Sequence, residues 1–398
     1  MPEKRRVSDL EFIALIAMLM ALVAFAINMI LPAFSSIIKE LKLTNENSVH
    51  LMVSLLYTGL AFGQIFYGSL SDSIGRKKAM YLGLMVFLIG CIISFFAKTL
   101  ILLIVGQIIQ GIGLGSPRVV TMAIVRDNYV GNEMGRILSF IMMIFVLVPT
   151  VSPYLGQSII NLSNWRTIFL VFIVLGLVMF CWIRLRLKES LLDTRRIVFS
   201  RKQLTKSVLL VFYDRKALGY TIVLGVFSGG FIAYLNLSQQ IFEIQYGLGK
   251  RYPLIFAILS IGLGITSFIN GKLVIRYGME RLSKLALTSN VIISVPFFVY
   301  VLMKDTQPPF WMFMLYMIAV LFCFGILVGN LNSMAMKTLG NIAGMGAAVV
   351  GAISTAISIP FATLIGFSYS NSVAPLVGGF AIFGIIALYK FLRTSRLK

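Results

Sequence analysis

Runs of about twenty consecutive apolar residues recur along the whole 398-residue chain and constrain its fold more than any other feature. A helix needs about 20 such residues to cross the hydrocarbon core of a bilayer, and backbone groups cannot stay unpaired in lipid. Twelve runs lie at 10–34, 49–70, 79–97, 100–125, 137–160, 167–185, 217–241, 252–271, 282–303, 309–335, 343–367 and 373–391. The sequence therefore predicts an all-α membrane protein with twelve transmembrane helices.

The composition excludes several other classes of protein. Hydrophobic residues make up 59% of the chain and charged residues 12%, which leaves too few polar side chains to coat a soluble domain. The net charge of +21 falls in short clusters between the apolar runs, so nucleic acid is not indicated as a partner. Cys91, Cys181 and Cys323 lie inside apolar runs without metal-ligand spacing, so we predict no metal and no cofactor. The spans show no catalytic cluster and the chain has no P-loop, so an enzyme is not predicted.

The distribution of basic residues predicts the orientation in the membrane. The N-terminal segment and every second connection after it hold 27 Lys and Arg residues, against 7 in the opposite loops. Basic residues concentrate on the cytoplasmic side of membrane proteins. Both termini are therefore predicted to be cytoplasmic, and the first run is read as a retained helix because it is longer than a signal peptide needs.

The chain also carries a faint internal repeat. The connection after span 2 has glycines at Gly68 and Gly75, and the connection after span 8 has them at Gly271 and Gly278, an offset of 203 residues. A basic linker separates six spans from six. We predict two pseudo-symmetric six-helix bundles, 1–185 and 217–398, joined by a cytoplasmic linker at 186–216.

The first of these connections carries the most specific pattern in the sequence, Gly68-x-Leu70-x-Asp72-x-x-Gly75-Arg76-Lys77. Its glycines permit a tight turn and close helix packing. Asp72 can accept hydrogen bonds from a helix N-terminus or pair with a basic side chain such as Arg76. These contacts predict a latch that holds one conformation; the alternative is that the basic residues only set topology.

With this pattern the chain resembles the major facilitator superfamily of transporters. Four further segments resemble its drug:proton antiporters, in particular the Bcr/CflA drug-resistance branch. They are Asn28-Met29-Ile30-Leu31-Pro32-Ala33; Gln110-Gly111-x-Gly113 with Ala123-Ile124-Val125-Arg126-Asp127; Pro149-x-x-x-Pro153-Tyr154-Leu155-Gly156 with Trp165-Arg166-x-x-Phe169; and Asn341-Ile-Ala343-Gly344-Met-Gly346-Ala347-Ala348.

The resemblance implies two halves that rock around a central site for a small molecule, with Asp72 helping to lock them. It implies too that Pro149, Pro153 and Gly156 of span 5 shape the contact with the opposite half. Prolines kink a helix and glycine permits close packing, although the same residues would also give a kink without gating. We group Arg126, from the span 4 segment, with these gating residues.

Two positions depart from the branch pattern. Asn28 stands where members usually have an acidic residue, and Gln107 where related antiporters often have an arginine. All 14 acidic residues lie outside the middle of the predicted spans. Protons remain a possible coupling ion only if another group, such as Glu243 or His50, binds them.

Arg118 lies well inside span 4, where an arginine costs about 2.5–3.5 kcal/mol on insertion scales. At 100° per residue Gln107 and Arg118 lie about 20° apart, with Gln110 within about 80° of Arg118. We predict that Arg118 binds an anionic substrate group, helped by Gln107, Gln110 and Asn28. The alternative is that Arg118 snorkels toward the cytoplasm, on the side of Arg126.

The second half offers further polar residues inside spans. Asn236 and Gln240 share one face of span 7, and Asn330 lies in span 10. We predict that they line the same cavity, although each can equally be an interhelical hydrogen bond.

Together these features predict a monomeric secondary transporter of the bacterial inner membrane. It moves a small organic solute by alternating access. Export of a drug-like compound or an anionic metabolite such as a siderophore is favoured. The alternatives are an importer or uniporter of a carboxylate-bearing nutrient, and a membrane receptor that transports nothing.

Overall fold

The computed structural model describes residues 9–129, 151–191, 209–304, 307–337 and 343–396, with the single positions 137, 148, 194, 196, 205 and 339. Within these residues the chain is helical and forms no strand. The helices are α1 (Asp9–Asn28), α2 (Phe34–Leu41), α3 (Leu51–Ile74), α4 (Arg76–Phe95), α5 (Leu100–Asn128), α6 (151–162), α7 (Arg166–Arg186), α8 (Arg215–Gln239), α9 (Tyr252–Tyr277), α10 (Met279–Lys304), α11 (Phe310–Lys337), α12 (Ala343–Phe367) and α13 (Ala374–Ser395).

Eleven helical segments in the described part of the chain are long and apolar enough to cross a bilayer. They coincide with eleven of the twelve predicted spans, and this part of the fold prediction is confirmed. The remaining prediction, 137–160, lies largely outside the described residues. Its second part is helical, since α6 covers 151–162.

Two predicted boundaries differ from the structure for physical reasons. The first span continues to Leu41, because Pro32 sits in the short 3-10 turn Leu31–Ala33, where a missing N–H does not interrupt the chain of helices. The connection predicted between spans 2 and 3, at 71–78, is almost entirely helical. Asp72 lies in the last turn of α3, Arg76 opens α4, and Gly75 alone joins the two helices.

The chain divides into two compact units, 1–42 with 55–205, and 43–54 with 206–398. The second unit thus takes in the 3-10 turn Glu46–His50 and the first residues of α3, while the rest of α3 belongs to the first unit. The predicted bundles at 1–185 and 217–398, with their linker at 186–216, stay a prediction.

The internal repeat has a structural counterpart. Gly75 joins α3 to α4 with φ of 101°, and Gly278 joins α9 to α10 with φ of 79°. Glycine adopts such positive φ values without steric cost, whereas residues with a Cβ rarely do, which explains why each junction has a glycine. The charged pair is not repeated, because Ile275 and Met279 take the places of Asp72 and Arg76.

Close packing of α3 against α5 fixes where Arg118 sits in the first unit. A Cβ at Gly111 would collide with the backbone of Leu56, and one at Gly115 with the backbone of Gly63. The small side chains therefore let two backbones touch, as the Gly-x-x-x-Gly spacing predicts. Leu56 contacts Gly111 and Gly63 contacts Gly115, so residue numbers rise in the same direction along both helices. The two helices therefore run parallel.

Candidate functional site

Arg118 lies beyond the middle of α5, directly after Pro117, and its Nη1 atom is buried. It interacts electrostatically with Tyr57, which lies near the start of α3. Since α3 and α5 run parallel and Leu56 packs on Gly111, Tyr57 lies about seven residues nearer the start of α5 than Arg118 does. The guanidinium thus reaches toward the start of α5, as helical side chains normally lean, rather than toward the Arg126 end that snorkelling requires.

The three predicted helpers of Arg118 have different surroundings. Gln107 is 1% exposed, and its Oε1 has no hydrogen-bond partner among the described residues. Asn28 is also buried; its Nδ2 donates to Ala24 O at 2.8 Å and its Oδ1 has no partner in the described part of the chain. Gln110 instead faces α4, where its Nε2 donates to Ser94 Oγ at 2.8 Å. Gln110 Oε1, like the side-chain oxygens of Gln107 and Asn28, has no partner among the described residues, so all three remain candidate ligands, and Gln110 also packs α5 on α4.

The three candidates in the second unit all have intramolecular partners. Asn236 Nδ2 donates to Ser54 Oγ at 3.4 Å, and Gln240 Oε1 lies 3.1 Å from His50 Nε2. Asn330 exchanges two hydrogen bonds with Asn270 of α9, at 3.0 and 3.1 Å. These contacts match the interhelical alternative, so substrate roles for Asn236, Gln240 and Asn330 stay predictions without direct support.

The reciprocal amide pair gives a testable prediction. Asn330→Leu should lower the apparent Tm of the purified protein, because Asn270 loses both partners and a buried unsatisfied amide costs about 1–3 kcal/mol. Asn270→Leu with Asn330→Leu should recover part of the loss, because no amide is then left unpaired. Asn332→Leu is the matched control, since within the described part of the chain the Asn332 amide bonds to Val328 of its own helix and to no other helix. A stability loss in the double variant that exceeds the sum of the losses in the two single variants would contradict this interpretation.

A second polar cluster surrounds the junction between α3 and α4. Arg76, which is 3% exposed, donates to Ser71 Oγ at 2.8 Å and to the Asp72 carboxylate. Its Nε donates to Asp127 Oδ2, at the end of α5, at 2.9 Å. One buried guanidinium thus joins two carboxylates from different helices. Such charge-assisted bonds hold α3, α4 and α5 in one arrangement.

The structure places some of the predicted gating residues in this cluster and leaves Arg126 outside it. Asp72, Gly75 and Arg76 lie together at the α3–α4 junction, and Gly68 O accepts a hydrogen bond from Ser71 at 3.1 Å; the gating role of these residues stays a prediction. Arg126, however, is exposed, and its neighbour Asp127 makes the ion pair. Sequence reasoning missed Asp127 as a partner, although one signal was present, an acid at the end of a span next to a basic residue.

Glu189 is a further residue that sequence reasoning missed. Its carboxylate accepts hydrogen bonds from the backbone N–H groups of Arg76 at 2.8 Å and Lys77 at 3.1 Å. Gly75, the N-cap of α4, has no side chain to cap the helix, so Glu189 supplies the cap from the segment after α7. The start of the predicted linker is therefore docked on the α3–α4 junction.

Gly75→Ala tests this docking. The positive φ alone should cost about 1–3 kcal/mol, and the added Cβ would also collide with the Glu189 carboxylate. Gly278→Ala is the matched control, because it has a positive φ but, among the described residues, no atom from another part of the fold lies within 4 Å of the added Cβ. We expect a larger fall in apparent Tm for Gly75→Ala than for Gly278→Ala. Equal falls would show that the Glu189 contact adds nothing.

The span 5 residues are only partly described. Pro149 lies outside the described residues, whereas Pro153 and Gly156 are buried in α6. A Cβ at Gly156 would collide with the carbonyl oxygen of Met29, one residue after α1. Gly156 therefore permits close packing on the end of α1, and its gating role stays a prediction.

Comparison with known proteins agrees with this architecture. The Major Facilitator Superfamily sequence model matches residues 16–363. The chain is 25% identical to the bicyclomycin resistance protein homolog of Haemophilus influenzae, over 98% of each chain. It is also 25% identical to the multidrug resistance protein MdtL of Vibrio parahaemolyticus, over 87% of each. Among solved structures, a D-xylose-proton symporter superposes with a TM-score of 0.77 at 14% identity, covering 96% of this chain and 97% of that one.

These matches cover the helices, the α3–α4 junction and most of both halves of the chain. The relatives named for drug resistance agree with the branch indicated by the sequence segments. The chain belongs to the Major Facilitator Superfamily and is a multi-pass membrane transporter, not an enzyme.

Proposed function

We propose that this transporter exports a small organic solute that carries a negative charge, a drug-like compound or a carboxylate-bearing metabolite such as a siderophore. It works as a monomer by alternating access in a bacterial inner membrane, with both termini cytoplasmic. The observation that carries the proposal is Arg118, a half-buried arginine inside a transmembrane helix.

The charge of Arg118 favours an anionic substrate. An ionised side chain at this depth is expensive and in membrane proteins usually marks a substrate or ion pathway. A guanidinium presents several donors in a planar fork that fits a carboxylate. Tyr57 lies close enough to Arg118 to interact with it electrostatically, and its hydroxyl is a neutral donor that can hydrogen-bond the same anion.

The placement of the acidic residues disfavours a cationic substrate. Among the described residues no carboxylate is buried inside a span, and Asn28 replaces the acid usual in this branch. Asp72 and Asp127 are paired with Arg76. Glu243 is only half-buried and accepts a hydrogen bond from Gln239 at 2.8 Å. Export is preferred to import because the relatives named above are resistance proteins.

Ligand-induced thermal stabilisation tests the substrate class. A ligand that binds the folded protein raises its apparent stability by mass action. We expect citrate and other polycarboxylates to raise the apparent Tm, and tetraphenylphosphonium and other lipophilic cations to leave it unchanged. Stabilisation by the cations alone would reject the anionic substrate.

Flux in reconstituted vesicles separates the remaining alternatives. Accumulation of labelled citrate inside everted vesicles corresponds to export, and we expect it to need an imposed pH gradient. Uptake into right-side-out vesicles would instead identify an importer. Flux that ignores the pH gradient would identify a uniporter. Binding without flux in either orientation would identify a receptor.

A further inference from the structure

The only histidine of the chain, His50, is 3% exposed and lies in a segment that the second unit holds firmly. It is the last residue of the 3-10 turn Glu46–His50, which is capped by the Asn45 side chain bonded to Asn47 N at 3.0 Å. The helix α3 begins at the next residue, Leu51. The side chain whose unperturbed pKa lies nearest to neutral pH thus occupies a buried position at the start of a transmembrane helix.

His50 docks on the end of α8. Its Nε2 lies 3.1 Å from Gln240 Oε1, and the imidazole also hydrogen-bonds the backbone of Asn236 one turn earlier. Gln240 opens a π-helical segment, Gln240–Gln245, in which Tyr246 N donates to Ile241 O at 2.9 Å. Such π-helical turns are rare and are frequent at functional sites.

Two further hydrogen bonds tie the same segment to its surroundings. Asn47 Nδ2 donates to Tyr369 O, just after α12, at 2.8 Å. The Tyr369 hydroxyl in turn donates to Gln245 Oε1 at 3.1 Å, which closes a ring back to the π-helical segment. Gly366 leaves room beside the imidazole, since even an added Cβ there would clear the ring and Cβ of His50 by at least 3.6 Å. The segment 45–54 is therefore held at His50 and at Asn47.

We propose that His50 is the proton-binding residue of the transport cycle: the neutral imidazole docks the segment 45–54 on Gln240–Gln245, and protonation releases it. This inference deepens the proposed function, because it names the group that would couple transport to protons in a chain with Asn28 in span 1. Two hydrogen-bonding groups at the docked imidazole, Gln240 Oε1 and the backbone of Asn236, are uncharged. A cation in such a buried site is disfavoured relative to water, so the protonated form favours the released segment.

Other titratable groups surround the docking site and must be separated from His50. The π-helical segment carries Glu243 and Tyr246, α8 carries Tyr234, and Tyr369 follows α12. On its own segment His50 is flanked by Glu46, with Lys42 before it. Protonation of the carboxylates in this set removes a negative charge, whereas protonation of the imidazole adds a positive one.

The helix α3 connects the segment 45–54 to the Arg76 cluster, so release of this segment can affect that cluster. This helix starts directly after His50 and carries Asp72 in its last turn, where Arg76 and Asp127 hold it. The first residues of α3 belong to the second unit and the rest to the first, so a change at its start acts on the helix that also carries Asp72. Proton binding and the predicted latch are linked through one helix of 24 residues.

Hydrogen exchange and NMR of the full-length protein with a histidine-free tag test the proposal. With ring-labelled histidine the single imidazole gives one NMR signal, which reports its protonation directly. We expect amide protection over residues 45–54, measured relative to His50→Gln at the same pH, to fall as this signal titrates. If the released state binds one more proton than the docked state, the equilibrium constant for release increases up to tenfold for each unit by which the pH falls.

Two variants complete the test. His50→Gln should keep the contact to Gln240. Its amide exchange over residues 45–54 should change with pH only as the intrinsic exchange rate does. Asn47→Ala removes the Tyr369 tether and should lower protection at every pH while leaving the pH dependence intact. A titrating imidazole without a change in protection, or an unaltered pH dependence in His50→Gln, would overturn the proposal. Citrate failing to bind would reject the proposed substrate and leave this exchange result unaffected, so the two failures are distinguishable.

Discussion

Arg118→Gln should remove the stabilisation of the protein by polycarboxylates. Losing one partner of a buried, hydrogen-bonded charge pair costs about 2–5 kcal/mol, which weakens binding by a factor of at least about 30. The Kd of citrate, from the ligand dependence of the apparent Tm, measures the effect. Glutamine keeps hydrogen-bonding capacity but is shorter than arginine, so a variant that retains the charge is needed to separate the loss of charge from the loss of reach.

Two other variants show whether the effect belongs to Arg118. Arg126→Gln removes an exposed arginine from the same helix and should leave the Kd of citrate unchanged. Arg118→Lys keeps the charge without the planar fork and should fall between wild type and Arg118→Gln. If Arg118→Gln binds citrate as well as wild type does, Arg118 is structural and another group must select the substrate.

The helices were the most predictable part of this protein. Their signal, about twenty apolar residues in a row, is local and depends only on the lipid environment. The boundaries at Leu41 and Ile74 were missed for a local reason as well, since a 3-10 turn at Pro32 and a single glycine at 75 continue the helices where polarity alone predicts a loop.

Partners of polar residues were not predictable, because they depend on which helices meet. Sequence reasoning selected Asn330 as polar and membrane-embedded, but only the packing of α9 on α11 reveals Asn270 as its partner. Similarly, the pattern after span 2 indicated Asp72 and Arg76, while Asp127 and Glu189 come from positions 51 and 113 residues away along the chain from Arg76. Tertiary contacts of this range leave no periodic trace in one sequence.

Arg76→Ala is expected to destabilise the first unit strongly. The variant leaves the Asp72 and Asp127 carboxylates facing each other without the guanidinium that both contact. Breaking a buried ion pair by removing one partner costs about 3–5 kcal/mol, because an uncompensated charge remains. A large fall in apparent Tm, measured in detergent at low salt, is the expected result.

The choice of controls decides whether this loss comes from the cluster or from basic charge in general. Lys78→Ala removes an exposed basic residue two positions away and should change the apparent Tm little. Arg76→Ala combined with Asp72→Asn and Asp127→Asn should recover stability, because neutral amides do not repel each other. If the triple variant is no more stable than Arg76→Ala, the loss arises from packing of the arginine stem, and the carboxylates do not define the α3–α4–α5 arrangement. Recovery would instead show that the charges of Asp72, Arg76 and Asp127 act as one unit, as a latch between helices requires.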